Sequence, residues 1–210
     1  FGDGNTSTDQ SPAHTYTAPG TYSVTLNASN PYGYNLSTRT DYIDVGNPPA
    51  AGFTTNVTGG NAPLAVQFTD TTENTPTSWL WDFGDGNTST DRNATHTYAA
   101  PGTYTVTLNA SNPYGYDLST QPDLVTVLAP PAASFTQNVT AGNAPLAVAF
   151  TDASTGNVTA WAWAFGDGQT SAQQSPVHTY VAAGTYTVTL NASNPYGFNI
   201  STQTDLITVL

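Results

Sequence analysis

Apolar residues recur at every second position in short runs along this chain. From Thr103 to Ser111, Tyr104, Val106, Leu108 and Ala110 alternate with Thr103, Thr105, Thr107, Asn109 and Ser111. That is the period-two pattern of a half-buried strand. Val66 and Phe68 share one face of a run from Ala65 to Asp70. Trp79, Trp81 and Phe83 stand at i, i+2 and i+4, which puts three rings on one side and turns Leu80 and Asp82 the other way. A last run covers Leu124 to Leu128. Amphipathic helical spacing is hard to find. Gly84-Asp85-Gly86, Pro101-Gly102 and Asn112-Pro113-Tyr114-Gly115 punctuate the runs as turns. The pattern predicts an all-β chain of two-sheet antiparallel sandwiches.

The pattern repeats. Asn-Ala-Ser-Asn-Pro-Tyr-Gly begins at Asn27, Asn109 and Asn191, and Phe-Gly-Asp-Gly begins at Phe1, Phe83 and Phe165, both with a period of 82 residues. A fixed long period sets the architecture before any local signal does. It divides the chain into residues 1–46, the second part of a unit, and complete units 47–128 and 129–210. Asn47-Pro48-Pro49-Ala50 and Ala129-Pro130-Pro131-Ala132 form the joints. Paired prolines remove amide donors and favour extended backbone, so short, semi-stiff spacers and a rod are expected. Residues 1–46 lack the strands equivalent to Phe53 through Trp81. Strands upstream in a longer natural chain are the expected complement. Strand addition by a neighbour is the alternative, and this chain has no spare strands to donate.

Trp79-x-Trp-Asp-Phe-Gly-Asp-Gly86, His96-Thr-Tyr98 and Pro101-Gly-Thr-Tyr-Thr-Val-Thr-Leu108 resemble the PKD (polycystic kidney disease) domain. Trp161 through Gly168, His178-Thr-Tyr180 and Gly184 to Leu190 repeat the resemblance. It implies tandem Ig-like β-sandwiches used as extracellular, non-catalytic modules. In-register copies with little charge are most similar to archaeal, methanogen-type surface-layer proteins. Ala164 departs from the motif, so what Asp82 does is dispensable in the third copy, and Ala183 replaces the turn proline. Trp81 is expected as an inner-face anchor. Tyr104, just past the Pro-Gly turn, is either a tyrosine corner or a plain core tyrosine.

Composition narrows the partners. Fourteen acidic residues face two basic ones, Arg39 and Arg92, for a net charge of −12. So few cations cannot neutralise phosphates, which excludes nucleic acid and anionic membrane surfaces as partners. Cysteine is absent, so there are no disulfides or thiolate metal sites. No apolar run is long enough to insert directly in a membrane.

Eleven acceptor sequons for N-linked sugar begin at Asn5, Asn27, Asn35, Asn56, Asn87, Asn93, Asn109, Asn138, Asn157, Asn191 and Asn199. That exceeds what an Asn-, Ser- and Thr-rich composition yields by chance. Asn27, Asn109 and Asn191 lie on the outward parity of their strand. The alternative is that some sequons merely reflect a polar surface.

Asp85 and Asp167 in Gly-Asp-Gly, joined by Asp70 and Asp152, have two readings. Carboxylates beside turn carbonyls suit calcium. Otherwise Asp caps its own backbone in a tight turn. No other cofactor is expected. One histidine per unit (His14, His96, His178) cannot make a zinc site, and parity with Tyr16, Tyr98 and Tyr180 points to packing. Tyr32, Tyr34, Tyr114, Tyr116, Tyr196 and Phe198, at the hairpins, are candidates for assembly contacts or for stacking on sugars, unless the rings fold back over the turn proline.

No nucleophile elbow, phosphate loop or metal triad points to an enzyme. The expectation is a structural repeat segment of a glycosylated extracellular surface layer, sheath or filament. It would act as spacer and self-association module, with its own copies or neighbouring surface proteins as partners. The alternative is a set of spacers, contacting polysaccharide or protein, in a larger secreted hydrolase or adhesin.

Overall fold

A computed structural model describes all 210 residues and contains strands without a helix. In the first unit the strands are β1 (Gly20–Asn30) and β2 (Gly33–Val45), paired antiparallel. The second unit contains β3 (Phe53–Thr55), β4 (Gly59–Asn61), β5 (Leu64–Asp70), β6 (Ser78–Asp82), β7 (Thr88–Ser89), β8 (Ala94–Tyr98), β9 (Gly102–Asn112) and β10 (Gly115–Leu128). One sheet has the order β3-β5-β8 and the other β4-β10-β9-β6-β7. The third unit repeats both sheets from Phe135 to Val209.

All pairs but one in each complete unit are antiparallel. The exception sets Gly59–Asn61 parallel to Thr126–Leu128, so the unit's entering chain zips onto its last strand. β10 is much longer than the run Leu124 to Leu128 suggests. Its first half pairs with the far end of β9, and a register shift between Gln121 and Val125 joins the halves. Pro122 and the left-handed Asp123 fall in that shift, which breaks the alternation that sequence reading relies on.

Each complete unit encloses its own core. In the second, Phe53, Val66, Phe68, Ala94 and Tyr98 face Trp81, Val106, Leu108, Val125 and Val127, with Phe83 between the sheets. Trp81 is fully buried, and its Nε1 donates to the Asp91 carbonyl oxygen at 2.8 Å. Trp79, expected on the same face, is half-buried at the rim and packs against this core. The same arrangement is built on Phe135, Phe150, Trp163, Phe165, Tyr180 and Leu190. Tyr104 is a tyrosine corner, its hydroxyl donating to the Ala100 carbonyl at 2.8 Å, as Tyr22 does to Ala18 and Tyr186 to Ala182. In the first unit Leu26, equivalent to the buried Leu108, is 62% exposed.

Candidate functional site

Each unit carries the same ladder of rings at the Gly-Asp-Gly turn. His96 stacks on Phe83 at 4.4 Å and meets Tyr98 edge-on at 4.6 Å, and Tyr98 stacks on Tyr104 at 4.4 Å. The Tyr98 hydroxyl donates to the Phe83 carbonyl at 3.1 Å. His96 Nε2 lies 2.7 Å from Asp85 Oδ2. His14–Asp3 and His178–Asp167 repeat the pair at the same distance. Asp85 also accepts the Asn87 amide N–H at 3.1 Å and Asn87 Nδ2 at 3.0 Å. Burial alone would raise the Asp85 carboxyl. The hydrogen bonds from His96 and Asn87 outweigh it and hold the group below the ordinary carboxylate value. The spacing of 11 residues between Asp and His recurs in every unit, a signal that could have identified the pair.

Asp70 is the last residue of β5. It accepts Thr72 N–H at 3.0 Å and Arg92 Nε at 3.2 Å, while the Arg92 guanidinium also sits over the Trp79 ring. Desolvation opposes ionisation of Asp70, and its hydrogen bonds from Thr72 and Arg92 prevail, so its carboxyl too lies below the ordinary value. In the third unit Trp161 Nε1 and Gln174 Nε2 occupy Asp152 instead, at 2.7 and 3.1 Å. The four carboxylates considered for calcium thus face protein donors at separate places, and no three acidic or histidine side chains converge. The tight-turn reading accounts for Asp85 and Asp167.

The hairpins are joints. Asn112 Oδ1 accepts the Tyr114 N–H at 2.9 Å and so caps its own turn. Its Nδ2 donates to the carbonyls of Asn47 in the linker and Asn74 in the next loop, both at 2.9 Å. Asn74 Nδ2 in turn donates to the Pro48 carbonyl at 3.1 Å. The Tyr114 hydroxyl donates to the Asp44 carboxylate of the preceding unit, and its ring occupies the place where a β-carbon on Gly46 would stand. The second joint uses equivalent loops on different ground. Ala129 N–H donates to Asn157 Oδ1 at 2.6 Å, and Asn194 Nδ2 donates across the joint to Asn61 Oδ1 at 2.8 Å. The hydroxyl end of Tyr196 lies where a β-carbon on Gly59 would stand, so a side chain there would displace the ring. Tyr32 is 98% exposed, against 40% for Tyr114 and 48% for Tyr196. The linkers are therefore bonded into the unit that follows them, which their proline pairs alone did not reveal.

Tyr34, Tyr116 and Phe198 point away from the joints. Tyr116 and Phe198 lie on the outer face of the larger sheet of their units, in cross-strand rows, and Tyr34 lies at the equivalent place on the β1-β2 pair. Tyr116 pairs with Ser111, and Leu80 and Leu118 flank Asn109.

The sequons fall into groups. Asn56, Asn93, Asn138, Asn157 and Asn199 accept backbone N–H bonds at Oδ1. Asn5 and Asn87 donate Nδ2 to the neighbouring aspartate. Asn27 and Asn35 are exposed. Asn109 and Asn191 are half-buried in the middle of their sheets, with Oδ1 shielded and unpartnered.

The PKD domain model matches residues 1–45, 46–127 and 128–209. Human polycystin-1 is 30% identical over 191 residues, covering 88% of this chain and 4% of that protein. Collagenase ColA of Bacillus cereus is 50% identical over 44 residues, 21% of this chain and 5% of that protein. The chain thus spans a small fraction of these relatives. Neither is an archaeal surface-layer protein. Among solved structures, titin domains I67–I69 superpose with a TM-score of 0.61 at 15% identity, covering 90% of this chain and 75% of that one, a likeness of Ig-like fold. With three consecutive matches spanning nearly every residue, the chain belongs to the PKD domain family.

Proposed function

We propose that this chain is a non-catalytic spacer segment of an extracellular protein, setting the distance and angle between what lies at its two ends. The joints carry this reading. Each linker carbonyl or amide is held by loops of the following unit, and each hairpin tyrosine rests on a glycine of the preceding one. A glycine at both contacts matters, because any side chain would lift the tyrosine off. Such joints restrict bending without the large apolar interfaces of obligate assemblies.

The host protein we favour is a glycosylated surface layer, sheath or filament. In-register copies and eleven sequons support it. Lateral partners would be further copies of the chain or neighbouring surface proteins. The match to a bacterial collagenase favours a second reading, spacers within a secreted hydrolase. Small-angle scattering of the chain tests the spacer reading: a single extended distance distribution supports it, and a collapsed or broadly averaged one overturns it. Surface labelling of intact cells followed by recovery of the full-length protein separates the two hosts. A catalytic domain in the same polypeptide would remove the surface-layer reading.

A further inference from the structure

The outer face of the larger sheet leaves an apolar row uncovered in each complete unit. In the second, Leu80 on β6 and Leu118 on β10 stand either side of Asn109 on β9, with Tyr116 beside them. The two leucines are 47% and 54% exposed. In the third, Ala162 and Ile200 flank Asn191, and Phe198 lies next to them. In the first, Leu36 pairs with Asn27 and Tyr34 with Ser29. Exposed apolar rows of this kind are ordinarily covered by something.

At the centre of each row sits the acceptor of an Asn-Ala-Ser sequon. Strand parity places Asn109 and Ser111 on the same outer face while Ala110 is buried beneath. Asn109 Oδ1 is shielded and accepts no hydrogen bond, and Asn191 Oδ1 is in the same state. Nδ2 of neither amide is engaged, so it is the attachment atom that remains free. At Asn5 and Asn87 the attachment atom is instead held against an aspartate, at 2.9 and 3.0 Å. The outer face carries one charged group near the row, Asp82 opposite Thr107, and the third unit has Ala164 there.

We infer that Asn27, Asn109 and Asn191 carry N-linked glycans, and that in the complete units the first sugars lie over the apolar row flanking their own attachment point. The inference rests on the glycosylated extracellular reading above. A pyranose presents C–H faces that pack on leucine, isoleucine and aromatic side chains while its hydroxyls stay in water. The glycan thereby covers a surface that would otherwise drive side-by-side association of copies.

Glycopeptide mass spectrometry of the protein from its native source reads the sites. Occupancy at Asn27, Asn109 and Asn191 at least several-fold above that at Asn5 and Asn87 is expected. Bare Asn109 and Asn191, or equal occupancy at Asn87, overturns the assignment. Covering is read with the dye anilinonaphthalene sulfonate on the glycoprotein and on Asn109→Gln with Asn191→Gln from the same host. A gain of at least two-fold in dye fluorescence in the double variant is expected. That gain is expected to vanish when Leu80→Ser and Leu118→Ser, with Ile200→Ser, are added. No gain, or a gain that survives the serines, overturns it. Side-by-side association of the fully glycosylated protein that the serine substitutions abolish would assign the row to a second copy and overturn the glycan as its occupant. Neither readout depends on interdomain distance, so failure here is distinct from failure of the spacer reading.

Discussion

Tyr196 of the third unit lies against Gly59 of the second, and the contact occupies the place a β-carbon would take. Tyr114 and Gly46 form the corresponding contact one unit earlier. Because the glycine is on one unit and the ring on the next, side-chain size at a single position sets how closely two units approach.

Gly59→Val is therefore expected to open the second joint while leaving both cores intact. Scattering should show a broadened interdomain distance distribution. The unfolding free energy of each unit should change by no more than about 0.5 kcal/mol, as for a surface substitution outside the core.

Core truncation should stay local. Trp81→Ala removes the largest fully buried side chain of the second unit and leaves the Asp91 carbonyl without its donor. A loss of about 3–5 kcal/mol is expected. Calorimetry should show one transition moving to lower temperature, with the transition built on Trp163 unchanged.

How much of this was legible beforehand varied with the physics involved. The period, the alternation of β5 and β9, the buried Trp81 and the corner at Tyr104 all follow from local patterning, which a strand with one buried face must show. The long β10 was half hidden, since Pro122 and Asp123 interrupt its parity at the register shift. Asp85 and His96 were each noticed but not paired, because the packing of one sheet on the other, not sequence proximity, brings them together. The joints were least legible. Tyr114 and Tyr196 occupy equivalent places in an identical heptapeptide, yet they meet Gly46 and Gly59, which are not equivalent positions. Contacts between units depend on a relative placement that no single unit encodes. Tyr114 and Tyr196 consequently belong to the chain's own joints, while Tyr34, Tyr116 and Phe198 remain on the open face.

Acid should weaken the Gly-Asp-Gly turns in a definite direction. The Asp85 and Asp167 carboxyls are depressed in the folded protein below their ordinary value of 3.8. A depressed acid contributes stability that is fully present above the unfolded value and is lost as pH falls through the folded one. Urea titrations of the protein and of Asp85→Asn with Asp167→Asn should differ at pH 7. The difference should shrink below about pH 4, the ordinary carboxylate range. A constant difference at every pH would contradict the pairing.

Arg92 is the one cation of the complete units, and its partner Asp70 is buried while Arg92 itself is largely exposed. Trp79 Nε1 beside it is buried without a partner, whereas Trp161 donates to Asp152 in the third unit. Arg92→Gln recreates the third-unit arrangement, in which Gln174 serves the same carboxylate. Stability within about 1 kcal/mol of the parent is expected, in keeping with the small worth of half-exposed ion pairs. Chemical denaturation measures it.

The absence of cysteine permits clean spin labelling. Thr97→Cys and Thr179→Cys place labels at exposed, equivalent positions on either side of the second joint. Double electron–electron resonance between them reads the spacer claim most directly. The joint predicts one narrow distance peak, broadening when Asn194→Ala and Tyr196→Ala are introduced. A broad distribution in the unmodified joint, unchanged by those substitutions, would contradict it.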